Sequence, residues 1–106
     1  MGATAIDVAR EFQVRLNKLE HVVAVAFVEY LPARSQLRLT TLLHTDDPEA
    51  ERQLAQAELD IEDAFREFPL EFSTVHLRGR DPKEFIPDGA FVIFGQSARR
   101  RADATK

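Results

Sequence analysis

The residues best suited to chemistry in this sequence are its histidines and the carboxylates near them. The three histidines are His21, His44 and His76, and His44 is followed closely by Asp46 and Asp47. Imidazole and carboxylate groups together suit a divalent transition metal, so His44, Asp46 and His76 are the candidate metal ligands. The alternative is that both aspartates cap the following helix while His44 faces water, because their spacing matches no recognised ligand motif.

A second set of ionisable residues, Glu51, Glu58 and Glu62, follows on the predicted helix and occupies its outer side. An acidic surface of this kind can bind a basic protein partner. It can also be a solvated face that keeps a small protein in solution. The sequence leaves both interpretations open.

Motifs for catalysis are missing from the sequence. It has four glycines and no cysteine, and it contains neither a Gly-x-Gly-x-x-Gly element nor a Walker-type loop. Its serines lack the context of a nucleophile elbow. Paired carboxylates occur only on the outer helix face, where nothing excludes water from them. We therefore expect a protein without catalytic residues, with no cofactor other than the divalent metal already considered.

The length, charge and composition of the chain limit the classes of protein to which it can belong. A chain of 106 residues has room for one domain, and we expect that domain to span residues 1–95. Residues 96–106 carry four basic side chains against one acidic side chain, and we expect a disordered tail there. The formal net charge of −4 argues against nucleic-acid binding. No apolar run is long enough to cross a membrane, and no signal-peptide pattern is present, so we expect a cytoplasmic protein.

Hydrophobic periodicity predicts the elements that position these groups, in the order α-β-β-α-β-β. Helices are expected over residues 4–20 and 47–68, because apolar residues recur there at intervals of three and four. Strands are expected over residues 22–31, 36–44, 70–77 and 90–94. The order indicates an α+β two-layer sandwich, with a mostly antiparallel sheet and both helices on one face.

In the first predicted strand, the residues that point to either face of the sheet are apolar, which is typical of a strand covered on both faces. Two helices cover only one face of the sheet. We expect the other face to be buried by a second copy of the chain, since a bare apolar face is larger than a monomer normally exposes. The expected interface residues are Val23, Val25, Phe27, Leu42 and Val75.

Two family resemblances accompany this interpretation. Residues 22–82 resemble the cytosolic C-terminal domain of cation diffusion facilitators, which has a ferredoxin-like fold. The likeness lies in the hairpin, in Asp46-Asp47 before the long helix, in Phe68-Pro69 at its end and in Val75-His76 in the next strand. It implies dimerisation and metal sensing, with His76 at a typical metal-ligating position.

The whole chain is also similar in its order of elements to the minimal nucleotidyltransferase fold, including a late Gly89-Ala90-Phe91-Val92-Ile93 element. That family has a Gly-Ser motif after the first strand and two magnesium-binding aspartates in the second. Here residues 27–30 read Phe-Val-Glu-Tyr and residues 35–39 read Ser-Gln-Leu-Arg-Leu. The resemblance therefore implies a degenerate member without metal-dependent chemistry.

Three functional hypotheses follow from the sequence. The first is a non-catalytic dimerisation or protein-interaction module. The second is a degenerate nucleotidyltransferase-like protein, and the third is a metal-responsive regulatory domain.

Overall fold

A computed structural model describes residues 4–95 of the chain, and the predicted basic tail lies outside them. The described part contains two helices and four strands in the predicted order. They are α1 (Ala5–Leu16), β1 (Val23–Leu31), β2 (Gln36–Leu43), α2 (Pro48–Ala64), β3 (Leu70–His76) and β4 (Phe91–Gly95). The α+β sandwich is thus confirmed. None of the described helices is both long and apolar enough to cross a membrane.

Both helices begin at a side chain that accepts hydrogen bonds from free amide groups of the first turn. Thr4 Oγ1 accepts from the Asp7 amide at 3.3 Å, and the Asp7 carboxylate accepts from the Thr4 amide at 2.8 Å. Asp47 accepts from the first free amides of α2, and Pro48 fits the first turn, where no amide is needed. α2 ends at Ala64, four residues before the predicted end, because Phe65 leaves the helical region at φ −124° and ψ 52°.

The four strands form one mixed sheet in the order β3-β2-β1-β4. β1 pairs antiparallel with both β2 and β4, while β2 and β3 run parallel with Leu43 opposite His76. A parallel pair needs a crossover connection, and α2 provides it. β1 therefore lies inside the sheet, as its apolar sequence predicts.

The main core lies between the helices and one face of the sheet. Apolar residues of α1 and α2 pack there against alternate residues of the strands; the largest fully buried ones include Phe12, Leu16, Leu39, Leu43 and Ile61. Phe12 and Phe72 meet as tilted rings with centroids 5.8 Å apart, an arrangement favoured for aromatic pairs. Both helices thus contribute to the same cluster of buried side chains.

The second face of the sheet is covered by the chain itself. Residues 77–90, which connect β3 to β4 and are called the covering segment below, pack Leu77, Phe85 and Ile86 against this face. Phe27 and Leu42 beneath them are only 2% and 0% exposed. A second copy was expected on this face because the covering segment has no regular periodicity, so the sequence did not predict that it packs on the sheet. The covering segment removes that requirement.

A β-bulge separates the predicted interface residues. The pairing of β1 with β2 shifts between Val23 and Val25, so one residue is added and the alternation of faces is interrupted. Val23 consequently belongs to the helix-side core, whereas Val25, Phe27 and Leu42 are buried on the second face. Val75 is partly buried beside them. A strict period of two assigns Val23 to the wrong face because it cannot detect the added residue.

Charged side chains occupy the end of the second face that the covering segment leaves uncovered. Arg38 on β2 lies opposite Glu29 on β1 and Glu71 on β3. Its guanidinium is 2.8 Å from Glu71 and 3.9 Å from Glu29, and Arg34 adds a contact to Glu71 at 3.0 Å. Cross-strand pairs of opposite charge stabilise a sheet while remaining compatible with water. This end of the face therefore needs no apolar partner.

Candidate functional site

The end of the sheet where β2 and β3 finish brings together the groups with the clearest chemical potential. Parallel strands end at the same edge, and the helix that connects them begins at that edge. Asp46 follows β2, Glu51 lies in the first turns of α2, and His76 is the last residue of β3. The topology of the crossover thus assembles three residues that are up to 30 positions apart in sequence.

These three side chains form a compact group, called the His76 cluster below. His76 Nε2 lies 3.0 Å from Glu51 Oε1 and 3.8 Å from Asp46 Oδ1. One ligand atom from each residue lies within 4.8 Å of the other two. The His76 and Glu51 side chains are about one-third exposed, whereas Asp46 is 65% exposed. The cluster is a surface site that is open to solvent on the Asp46 side.

Two of the three predicted metal ligands, Asp46 and His76, are therefore brought together, while His44 lies outside the cluster. His44 is exposed and lines a shallow groove with Asp46 and Arg78. Of the two aspartates that the capping alternative concerned, Asp47 is the one that caps. Its Oδ1 accepts from the Glu49 and Ala50 amides, both at 3.1 Å. Asp46 is not engaged in this cap.

Glu51 is the member of the cluster that sequence reasoning missed as a ligand. The sequence places it on the acidic outer face of the helix, and an acid near a helix N-terminus is favoured without any metal. A signal was present nonetheless, since a crossover helix starts at the edge where the flanking strands end. A carboxylate in its first turns can therefore reach the end of the following strand. Detecting this required the parallel pairing of β2 with β3.

The three glutamates of the predicted acidic face have different environments. Glu51 contacts His76, whereas Glu62 is exposed. Glu58 is half-buried, and burial raises the pKa of its carboxyl from 4.5 to about 7. Its Oε2 is out of contact with solvent and accepts no hydrogen bond from the described residues. The three glutamates therefore do not form one uniformly charged surface.

A second surface feature is an exposed aromatic pair at the opposite end of the sheet. Phe91 is 70% exposed and lies opposite Val28 in the pairing of β1 with β4. Tyr30, which is 62% exposed, follows Val28 by two residues and so points to the same side. Diagonal neighbours of this kind have Cβ atoms about 7–8 Å apart, within reach of aromatic side chains. We refer to Tyr30 and Phe91 as the aromatic pair.

Arginines at two other places are already engaged within the chain. Arg38 stands where the nucleotidyltransferase likeness requires an acid, and it forms the charged ladder with Glu29 and Glu71. In the turn at residues 78–82, Arg80 pairs with Glu84 at 2.6 Å and stacks 5.1 Å from the centre of the Phe85 ring. Both arginines thus have structural partners.

No protein-family model matches the chain, and no curated protein matches it. Function must therefore be inferred from the surfaces of the molecule.

Proposed function

We propose that the chain is a non-catalytic α+β interaction module that pairs with a second copy of itself through the aromatic pair. The observation that carries the proposal is the exposure of both Tyr30 and Phe91 on adjacent strands, although the other large apolar side chains of the described strands are covered. Tyrosine and phenylalanine are enriched at the centres of protein interfaces, because they bury much area with few rotatable bonds.

A second copy is favoured over a charged partner because the aromatic pair offers apolar area. A two-fold axis near β4 would place the pair of one copy against the pair of the other, as closed dimers require. The formal net charge of −4 on each chain opposes this association. Screening by salt weakens that repulsion, so we expect self-association to strengthen as salt is added. A complex between the acidic helix and a basic partner would weaken instead.

The proposal is tested by analytical ultracentrifugation of the full chain over a wide concentration range. Two aromatic side chains per copy support a weak dimer with Kd about 10–100 μM. We expect Phe91→Ser and Tyr30→Ser each to weaken association about tenfold or more. Leu59→Ser is the matched control, because Leu59 is 59% exposed and belongs to α2 and not to the sheet.

Two outcomes would overturn the proposal. One is a wild-type chain that stays monomeric up to millimolar concentration. The other is a dimer that Leu59→Ser weakens as much as Phe91→Ser does. Circular dichroism of each variant confirms that the fold is intact, which is expected since all three side chains are mainly exposed.

A further inference from the structure

We propose that the His76 cluster binds one divalent transition-metal ion through Asp46, Glu51 and His76. This inference does not depend on the proposed self-association. It rests on three side chains from separate elements that present one nitrogen and two oxygen atoms to a common point at the surface.

The distances within the cluster suit a first coordination shell. Bonds of about 2.0–2.2 Å from zinc to nitrogen and oxygen separate tetrahedral ligand atoms by about 3.4 Å. The separations of His76 from Glu51 and from Asp46, 3.0 Å and 3.8 Å, lie on either side of that value. All three ligand atoms lie within 4.8 Å of one another, so side-chain rotation would bring them onto one ion. Asp46 is the most exposed of them and the most free to adjust.

The donor set also selects the class of ion. An imidazole with two carboxylates suits Zn²⁺ and Mn²⁺, whereas Mg²⁺ and Ca²⁺ prefer oxygen ligands alone. Two carboxylates and a neutral imidazole carry a charge of −2, which balances a divalent cation. The N-terminus of α2 opposes a cation with its partial positive charge, but Asp47 already accepts hydrogen bonds from two amides of that terminus.

Binding would join the end of β2, the start of α2 and the end of β3. Metal coordination and the hydrogen bond compete for one atom, because His76 Nε2 contacts Glu51 Oε1 at 3.0 Å. An ion that bridges these residues replaces this contact with two or three stronger ones. Since the ion binds the folded chain and not the unfolded chain, we expect it to raise the melting temperature.

The test is isothermal titration of the tag-free full chain with ZnCl2, accompanied by thermal unfolding with and without the metal. We expect one ion per chain and a higher melting temperature. His76→Gln, Glu51→Gln and Asp46→Asn should each weaken affinity about tenfold or more, since second-sphere changes alone cause losses of about 10–100-fold. His44→Gln is the matched control, because His44 is close in sequence but outside the cluster.

The His44→Gln control also tests whether zinc binds outside the His76 cluster. The proposal is overturned if millimolar zinc gives neither heat nor a change in melting temperature. It is equally overturned if His44→Gln weakens binding as much as His76→Gln does, or if none of the three ligand variants changes the affinity. Asp46→Asn keeps the test decisive even if the His76 variant unfolds, because the Asp46 side chain is 65% exposed.

Discussion

Replacing Glu58 by glutamine should stabilise the protein in neutral and alkaline solution and leave it unchanged in acid. Glu58 lies on α2 between Leu54 and Ile61, four residues after one and three before the other, so all three share a helix face. Burial beside this core raises the pKa of the Glu58 carboxyl from 4.5 to about 7. Among residues 4–95, no basic side chain forms an ion pair with Glu58 that would offset the loss of hydration.

The sign of the effect follows from proton binding. Between pH 4.5 and about 7 the folded chain retains the Glu58 proton, whereas the unfolded chain has released it. The unfolded state therefore binds fewer protons, and the free energy of unfolding falls as the pH rises through this range. Below pH 4.5 both states are protonated and the contribution is constant. Above pH 7 both are ionised, and the full destabilisation persists.

The magnitude follows from the two pKa values. A shift from 4.5 to about 7 corresponds to at most about 3.4 kcal/mol. Because the side chain is only partly buried and water screens its charge, we expect about 1–2 kcal/mol in practice. A domain of this size is typically stable by about 5–15 kcal/mol, so the change is readily measured.

Urea unfolding of the wild type and Glu58→Gln at about pH 4 and about pH 8.5 tests the prediction. We expect the stability difference to grow from near zero to about 1–2 kcal/mol in favour of glutamine. Glu67→Gln is the control, since it removes the same charge from an exposed position. A difference that does not change with pH, or that appears equally in Glu67→Gln, would refute the assignment of a buried, unpaired carboxyl.

Two further predictions concern the backbone and the covering segment. Gly95→Ala should destabilise the fold by about 3 kcal/mol in urea unfolding, because Gly95 has φ 111° and a Cβ there collides with the Ala24 carbonyl oxygen. Gly89 also has a positive φ of 86°, but it has open space around it, so Gly89→Ala should lower the free energy of unfolding by only about 1 kcal/mol. Equal losses in the two variants would contradict the predicted collision at Gly95. Phe85→Ser should loosen the covering segment, increase binding of the dye ANS and promote association. Phe85→Leu, which keeps an apolar side chain, should have none of these effects. A serine variant that binds no more dye than the wild type would show that Phe85 is not needed to cover the sheet.

Local patterns in the sequence were sufficient to predict the order and type of the elements. The helix caps at Thr4 and Asp47 agree with residue type, because capping depends on side chains close in sequence. The interior position of β1 followed from its apolar run. These features depend on interactions within a few residues, so a single sequence carries them.

Features that depend on distant parts of the chain were not predictable in the same way. The bulge between Val23 and Val25 depends on how β1 pairs with β2, and it moves Val23 to the helix-side core. The covering segment lacks regular periodicity, so its apolar residues did not reveal which surface they would bury. The contact between Glu51 and His76 depends on the parallel pairing of β2 with β3. In each case the missing information was a pairing between strands or surfaces.

The same topology separates the two proposed functional surfaces. The His76 cluster lies where β2 ends, whereas the aromatic pair lies where β1 ends, and β1 runs antiparallel to β2. The two surfaces therefore lie at opposite ends of the sheet, about 20 Å or more apart for strands of eight or nine residues. Substitutions at sites this far apart normally act independently. Loss of zinc binding in Asp46→Asn and loss of association in Phe91→Ser can consequently be interpreted separately, and failure of one proposal leaves the evidence for the other unchanged.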